Sequence, residues 1–303
     1  MTPQIGKLIL FVGAMLVAGI LVMTRKAWMG ALAHGWPSVW RIAKMTVAEA
    51  RRKRVLQAVV VLVVLIIASL NIVSYLSPVE QARMVKDSGL MSITLFGMLL
   101  SIFVGAFMIP HEIESRTIYP ILAKPVRRYE FLLGKYLGAL IILGVIVAIL
   151  TVVLVGVLLL QAHVIGVPQA GQPDSKFDAA IPAVIFAAVM SYCALAVLTA
   201  LIMLISAVSS TTMTVIGAIL LWGVGSMQSM LYDLSTKMVG ASRFVLWLFY
   251  HAVPPLQDFD FRTNVANGIP IDAGAAVQAL GAGLLYIIVA LLFASLFFEN
   301  RQV

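Results

Sequence analysis

Residues 131–160 read FLLGKYLGALIILGVIVAILTVVLVGVLLL, a run in which Lys135 is the only charged side chain. An α-helix needs about 20 apolar residues to cross roughly 30 Å of membrane hydrocarbon. The run is longer than a perpendicular crossing requires, so we expect a spanning helix that tilts or protrudes. Further apolar runs occupy residues 8–23, 55–76, 90–109, 181–208, 213–231 and 275–298. The sequence therefore predicts an all-α polytopic membrane protein with about seven spans.

The composition of the whole chain agrees with a membrane protein. Of its 303 residues, 62% are hydrophobic and 11% are charged, whereas soluble domains are about half apolar and a quarter charged. The single cysteine, Cys193, excludes an internal disulfide framework and a cysteine-rich metal site. The net charge of +8 does not point to nucleic acid, because no basic stretch is interleaved with aromatic residues for base stacking.

The basic residues predict the orientation of the spans. Of the 21 lysines and arginines, 13 fall in residues 24–54 and 110–135, which share one side if two spans separate them. The positive-inside rule makes that side the cytoplasm and places the C-terminal tail there as well. The segments that then face outward are 77–89, 161–180 and 232–274.

Two apolar stretches fit the span pattern less well. We read residues 1–24 as an uncleaved N-terminal membrane anchor, because Arg25 and Lys26 directly follow the apolar run; the alternative is a cleaved signal peptide. The N-terminus lies outside if this run spans. Residues 244–250 are too short to cross, so they re-enter the membrane or lie at its interface.

Residues 25–54 have the pattern of a cytoplasmic amphipathic connecting helix. One predicted face recurs at intervals of four, three, four and three residues: Trp36, Trp40, Ala43, Val47 and Ala50. The residues largely opposite are Arg41, Lys44, Ala48, Arg51 and Arg52. A helix of this kind lies in the membrane plane with its tryptophans at headgroup level. The alternative is a loop in which the spacing is fortuitous.

The chain lacks the motifs of nucleotide hydrolysis and of intramembrane chemistry. Its Gly-Lys pairs are followed by Leu8 and Tyr136, where a phosphate-binding loop needs Ser or Thr. The four histidines are scattered, so we expect no catalytic, cofactor-binding or metal residue. The spans hold almost no ionisable residues, which argues against an ion-coupled carrier or an intramembrane protease. Polar residues remain within the spans: Asn71, Ser92, Thr94, Gln228 and Ser229. Helix-to-helix hydrogen bonds account for most residues of this type, and the alternative is that they line a pathway.

The most informative segment is residues 111–138, HEIESRTIYPILAKPVRRYEFLLGKYLG. Pro110 can begin a short surface helix, with Glu112 and Glu114 in its first turn, where acids suit the helix dipole. The segment is either a docking element for a cytoplasmic partner or a solvated loop whose charges set topology. The pair Gly134 and Gly138 lets another helix approach closely, either within the chain or from a second chain.

This segment resembles the signature region of the ATP-binding-cassette type-2 permease family. The matching positions are Glu112, Glu114, Arg116, Thr117, Leu122, Pro125, Arg128, Phe131, Gly134 and Lys135. The resemblance extends over about residues 46–303, including the basic run 51–54, the polar break 209–212 and the aromatic-proline piece 250–261. It implies a six-span permease domain at 55–303, with a cytoplasmic coupling helix near 110–120. The N-terminal segment is a departure that the family does not explain.

The resemblance also implies function, partners and location. It predicts a permease subunit of an ATP-driven exporter in the inner cell membrane, paired with an identical or related permease chain. ATP and Mg²⁺ are expected in separate cytoplasmic ATPase subunits. The residues implied to couple to the ATPase are Glu112, Glu114, Arg116 and Thr117, and those of the signature before the next span are Pro125, Arg128, Gly134 and Lys135. The alternative is a non-transporting membrane anchor or assembly subunit. Residues 251–272 either contact an extracytoplasmic partner or cargo, or form a solvated cap.

Overall fold

The computed structural model describes residues 25–70, 78–114, 128–165, 175–228, 230, 233–234 and 253–300, which contain no β-strand. The α-helices are α1 Arg25–Arg52, α2 Arg54–Ser69, α3 Pro78–Glu114, α4 Arg128–Ile165, α5 Ser175–Val208, α6 Thr211–Ser226, α7 Arg262–Asn267 and α8 Ala273–Asn300. A 3₁₀ turn, Leu256–Phe259, precedes α7. The all-α prediction is confirmed for the part of the chain that the structure describes.

Four of these helices are long and apolar enough to cross a membrane. Their candidate spans are Glu80–Ala106, Tyr129–Gln161, Ile181–Val208 and Ala273–Phe297. The predicted spans at 55–76 and 213–231 correspond to α2 and α6, which have 16 residues each and therefore reach only about 24 Å. The apolar stretches 8–23 and 244–250 lie outside the described residues. The count of about seven spans stays a prediction.

Helix α3 differs from the prediction at both ends. It begins at Pro78, inside the segment expected to be an outward loop, and continues without interruption through Pro110 to Glu114. A new helix start at Pro110 is therefore wrong. Proline removes one helical hydrogen bond, but helices next to or within membranes tolerate this loss when neighbouring groups compensate. The apolar run before Pro110 and the residues after it form one continuous helix, so α3 has 37 residues.

The centre of the molecule is a bundle of α3, α4 and α5 in which glycines allow close approach. Gly89 of α3 faces Leu154 of α4, and Gly97 faces Leu195 of α5. A Cβ atom at Gly105 would lie 2.6 Å from Ile202 Cγ2. In lipid, where no hydrophobic force drives helices together, such small residues let van der Waals contacts do so.

Buried hydroxyls tie the same three helices together. The Ser101 and Thr199 hydroxyls share a 2.7 Å hydrogen bond between α3 and α5. The Tyr136 hydroxyl of α4 donates to the Ala196 carbonyl at 3.2 Å, and the Tyr192 hydroxyl of α5 donates back to the Leu140 carbonyl at 3.1 Å. Because a polar group in hydrocarbon needs a partner, these bonds fix the pairing of the helices.

The polar residues singled out in the sequence have mixed roles. Thr94 donates across to the Ser191 hydroxyl at 3.2 Å, which confirms a helix-to-helix bond. Gln228 donates to the Val253 carbonyl at 3.2 Å. Ser92 instead donates to the Ser88 carbonyl of its own helix at 2.8 Å. Asn71 and Ser229 lie outside the described residues.

The break between α5 and α6 lies where the sequence predicts it. Helix α5 ends at Val208, and Ser210 is extended, with φ −76° and ψ 163°. The Ser209 amide donates to the Ile205 carbonyl at 2.8 Å, while the Thr214 hydroxyl donates to the Ser210 carbonyl at 2.9 Å. These local bonds satisfy backbone groups that two helix ends would otherwise leave without partners.

Candidate functional site at the basic end of the bundle

One end of the bundle, here called the basic end, carries Arg51 to Arg54 and the start of α4. Helix α3 ends at this end and α4 begins there. Glu112 and Glu114 lie in the last turn of α3, and Gly134 and Lys135 lie in the second turn of α4. Arg128 is the first residue of α4. Arg116, Thr117 and Pro125 lie outside the described residues, so the coupling role of this set stays a prediction.

The position of the two acids differs from the sequence expectation in its electrostatics. Glu112 and Glu114 continue an uninterrupted helix rather than lying in a first turn, so the favourable contact with a helix N-terminus that was expected for them is wrong.

Helix α1 crosses α4 at the basic end, and two glycines of α4 make the crossing close. A Cβ atom at Gly134 would lie 2.7 Å from Ile42 Cβ and 2.9 Å from the Val39 carbonyl oxygen. A Cβ atom at Gly138 would lie 2.6 Å from Thr46 Cβ. The glycine pair therefore packs against α1 within the chain.

The side of α1 that meets α4 overlaps only partly with the apolar face identified in the sequence. The residues buried in the crossing are Val39, Ile42, Ala43, Thr46 and Ala50. Trp36 and Trp40 are 56% and 44% exposed and therefore lie outside the crossing, so their position at headgroup level stays a prediction. The glycines of α4 accept small or β-branched side chains at short range.

A pair of charges joins α1 to α4 beside this crossing. The Lys135 ammonium is 5% exposed and lies 3.8 Å from the Glu49 carboxylate, which also contacts Lys53 at 3.3 Å. Lys135 Nζ is 5.7 Å from the centre of the Phe131 ring. A buried ammonium is costly without compensation, so the Glu49 contact favours attachment of α1. The i, i+4 spacing indicated the contact between Glu49 and Lys53, but nothing in the sequence indicated the contact between Glu49 and Lys135.

At the opposite end, residues 253–261 form an irregular segment that the helices enclose. A Cβ atom at Gly225 would lie 2.9 Å from Leu256 Cδ1, and one at Gly283 would lie 2.7 Å from Phe259 Cζ. Phe261 meets Phe186 edge to face, with ring centroids 5.6 Å apart. The apolar side chains of this segment are therefore enclosed by protein, whereas Gln257, Asp258 and Asp260 are exposed, as a solvated cap requires. Irregular backbone at membrane depth requires this kind of enclosure by protein.

An ion pair and a cavity lie beyond that segment. Arg262 Nε is 3.4 Å from the Asp87 carboxylate of α3, and Arg262 Nη2 is 3.2 Å from Asp260. The neighbouring cavity has a volume of about 230 Å³ and is lined by Glu80, Arg83, Met84, Asp87, Thr263, Ala266 and Asn267. Among the described residues no three metal-ligating side chains come together.

These observations define a class of protein: a helical membrane component with several spans and a charged surface at the basic end. Residues 40–303 match the sequence pattern of the ABC-2 family transporter proteins. Because this match covers well over half of the chain, the protein belongs to that family. Members are transmembrane components of transporters and are not themselves catalytic, and the family implies association with ATPase subunits. No curated protein matches the chain.

Proposed function

We propose that this chain is the permease subunit of an ATP-driven exporter in the inner cell membrane, with the basic end in the cytoplasm. ATP and Mg²⁺ are bound by separate ATPase subunits that dock at the basic end. The family match over residues 40–303 supports this function, as does the absence of a phosphate-binding loop in the sequence.

The observation that carries the proposal is the continuity of α3. Its apolar run ends at Ile109, and the helix continues for about 8 Å to Glu114. A docked ATPase subunit that pushes this end therefore pushes a rigid helix rather than a loop. Because glycines seat α3 directly on α4 and α5, its displacement reaches both neighbours. Packed interiors respond to such a push by changing between discrete arrangements.

Electrostatics supports docking at the same place. Glu112 and Glu114 place two negative charges on α3, and a basic surface on the ATPase would complement them. Charge-assisted hydrogen bonds to Glu114 and Arg116 would be shorter and stronger than neutral ones. These two residues are the ones that we expect at the contact.

Charge reversal tests the proposal. Glu114→Lys and Arg116→Glu should weaken co-purification of the ATPase by about tenfold or more, because bonds to charged groups contribute about 1.5–3 kcal/mol. Glu80→Lys is the matched control, since it makes the same change at the opposite end of the same helix and should leave co-purification unchanged. Membrane insertion should stay normal in all variants. Normal ATPase binding and normal transport-linked hydrolysis in both test variants would remove the coupling assignment.

Assembly is tested separately. A native mass spectrum of the gently solubilised complex should show two permease-type chains and two ATPase chains, and an active species with one permease chain would refute pairing. The remaining alternative is a membrane anchor that binds the ATPase without moving a substrate. In that case candidate substrates would leave hydrolysis by the purified complex unchanged.

A further inference from the structure

Helix α1 has one side that α4 covers and another that nothing in the described part of the chain covers. The exposed side includes Trp36 and Trp40, one helical turn apart, and four basic residues: Arg41, Lys44, Arg51 and Arg52. Residues 25–54 contain a single acid, Glu49, which contacts Lys53 and Lys135. The exposed side is therefore aromatic and cationic, and its charge is not balanced by an acid of the same helix.

The side chains around Trp40 form a compact group. Lys44 Nζ lies 5.6 Å from the centre of a Trp40 ring. Arg41 folds back on its own helix, with Nε donating to the Pro37 carbonyl at 3.2 Å and Nη2 to the Ser38 hydroxyl at 3.3 Å. Arg41 and Lys44 are spaced i, i+3, so their Cβ atoms lie about 5–6 Å apart. Two cations thus flank one exposed indole.

The depth of this group matches the headgroup region of a bilayer. Trp40 lies between Val39 and Ile42, the residues that meet Gly134. Gly134 and Gly138 are roughly 17 and 11 Å from the middle of the apolar run 131–160 at 1.5 Å per residue. The hydrocarbon ends about 15 Å from the bilayer centre. Indole rings favour this boundary, where one edge is apolar and the other is wet.

From these observations we propose that α1 carries a binding site for the phosphate of an anionic lipid headgroup. Arg41 and Lys44 hold the phosphate, while Trp40 and Trp36 insert beside the glycerol and the first acyl carbons. Both cations reinforce the attraction of the anionic leaflet, by about fivefold in affinity for each one. The site does not depend on the proposed ATPase partner, because it needs only this chain and a bilayer.

Fluorescence of Trp40 provides a direct test. Trp28, Trp36, Trp222 and Trp247 are replaced by Phe, and the full chain is reconstituted in vesicles of phosphatidylcholine and phosphatidylglycerol in equal parts. Bromine quenchers are placed on one lipid or on the other. We expect stronger quenching by brominated phosphatidylglycerol than by brominated phosphatidylcholine. Added salt should reduce the difference, since screening acts within about 10 Å at ordinary ionic strength.

Two pairs of substitutions separate a site from general attraction. Arg41→Gln with Lys44→Gln should abolish the preference for phosphatidylglycerol, which corresponds to a loss of about tenfold or more in relative affinity. Arg51→Gln with Arg52→Gln makes the same charge change further along α1 and should keep the preference. Arg41→Lys with Lys44→Arg keeps both charges and should also keep it, which guards against loss through misfolding.

Three outcomes would overturn the proposal. If the preference for phosphatidylglycerol falls equally in the Arg41/Lys44 and the Arg51/Arg52 glutamine variants, the basic helix is attracted to the membrane unspecifically. Equal quenching by the two lipids in the Trp40-only parent would mean no headgroup preference. Equal quenching together with loss of co-purifying ATPase in the Arg41 and Lys44 variant would assign this side of α1 to an acidic protein partner.

Discussion

The crossing of α1 and α4 allows a sharp test of how this chain is held together. The test substitutions are Gly138→Ala and Gly134→Ala, each of which adds one methyl group. At Gly138 the new Cβ would lie 2.6 Å from Thr46 Cβ and 3.1 Å from the Ala43 carbonyl oxygen. At Gly134 the new Cβ would lie 2.9 Å from the Val39 carbonyl oxygen. These obstacles are close to the backbone, so no rotamer change can relieve them.

The expected change in the free energy that holds α1 against α4 follows from two opposing terms. Overpacking that forces a backbone shift costs about 1–3 kcal/mol, while replacing glycine by alanine in a helix recovers up to about 1 kcal/mol. The net loss should be about 1–2 kcal/mol at Gly138, and slightly more at Gly134 because the backbone oxygen is closer. The double variant should lose less than the sum, since both sites strain the same contact.

Gly156→Ala is the matched control on the same helix. A Cβ atom added at Gly156 would have no neighbouring side chain or other helix within 4 Å in the described part of the chain, so only the helix-propensity gain of up to about 1 kcal/mol remains. The assay is trypsin cleavage in α1, at sites such as Arg41 and Lys44, in the full chain purified in mild detergent. When opening is fast, cleavage follows the open population, and about 1.4 kcal/mol raises that population tenfold. Gly138→Ala should thus be cut several times faster than the parent, and Gly156→Ala no faster.

One result would refute this account of the crossing. If Gly134→Ala and Gly138→Ala leave cleavage of α1 unchanged but remove the two-chain species from a native mass spectrum, the glycines contact a second chain. The packing within one chain would then not explain why glycine is needed at these positions.

Two further predictions concern orientation and the opposite end. Cys193 is replaced, and single cysteines are introduced at positions 124, 176 and 262. On intact cells, the cysteines at 176 and 262 should react with an impermeant thiol reagent, while the one at 124 should not. Labelling at 124 alone would reverse the orientation. Asp87→Asn should lower the free energy of unfolding by up to about 1 kcal/mol, because the pair with Arg262 is partly exposed. Most of that effect should vanish in high salt, and a loss equal at low and high salt would show that packing is responsible.

The long apolar elements were predictable because the bilayer imposes length and composition on each of them. The predicted span 181–208 lies within α5 and ends at the same residue, and the predicted start at residue 275 is two residues from the start of α8. A helix in hydrocarbon must satisfy all its backbone groups internally. This constraint acts on each segment alone, so a single sequence is enough to reveal it.

Features that depend on two distant elements were not predictable in this way. The buried side of α1 is set by Gly134 and Gly138, which are about 90 residues further along the chain. The enclosure of Phe259 depends on Gly283 and Val197. At Pro110 the preference of proline for the first position of a helix predicted a helix start. The continuous α3 shows that the helix formed by the apolar run before Pro110 extends through it instead. Arg116 and Thr117, for which the family resemblance implies a coupling role, lie outside the described residues.

The enclosure of Phe259 has a consequence for the order in which the chain is assembled. Val197 is synthesised first, Phe259 follows, and Gly283 comes last, so one wall of the pocket around this ring arrives after its occupant. At about 5–20 residues per second, Gly283 follows Phe259 by roughly 1–5 s. During that time residues 253–261 have no settled place, and quality-control factors in the membrane could bind them. A nascent chain released before Gly283 would therefore lack its final helix, and residues 253–261, although already synthesised, would lack the helix that encloses them.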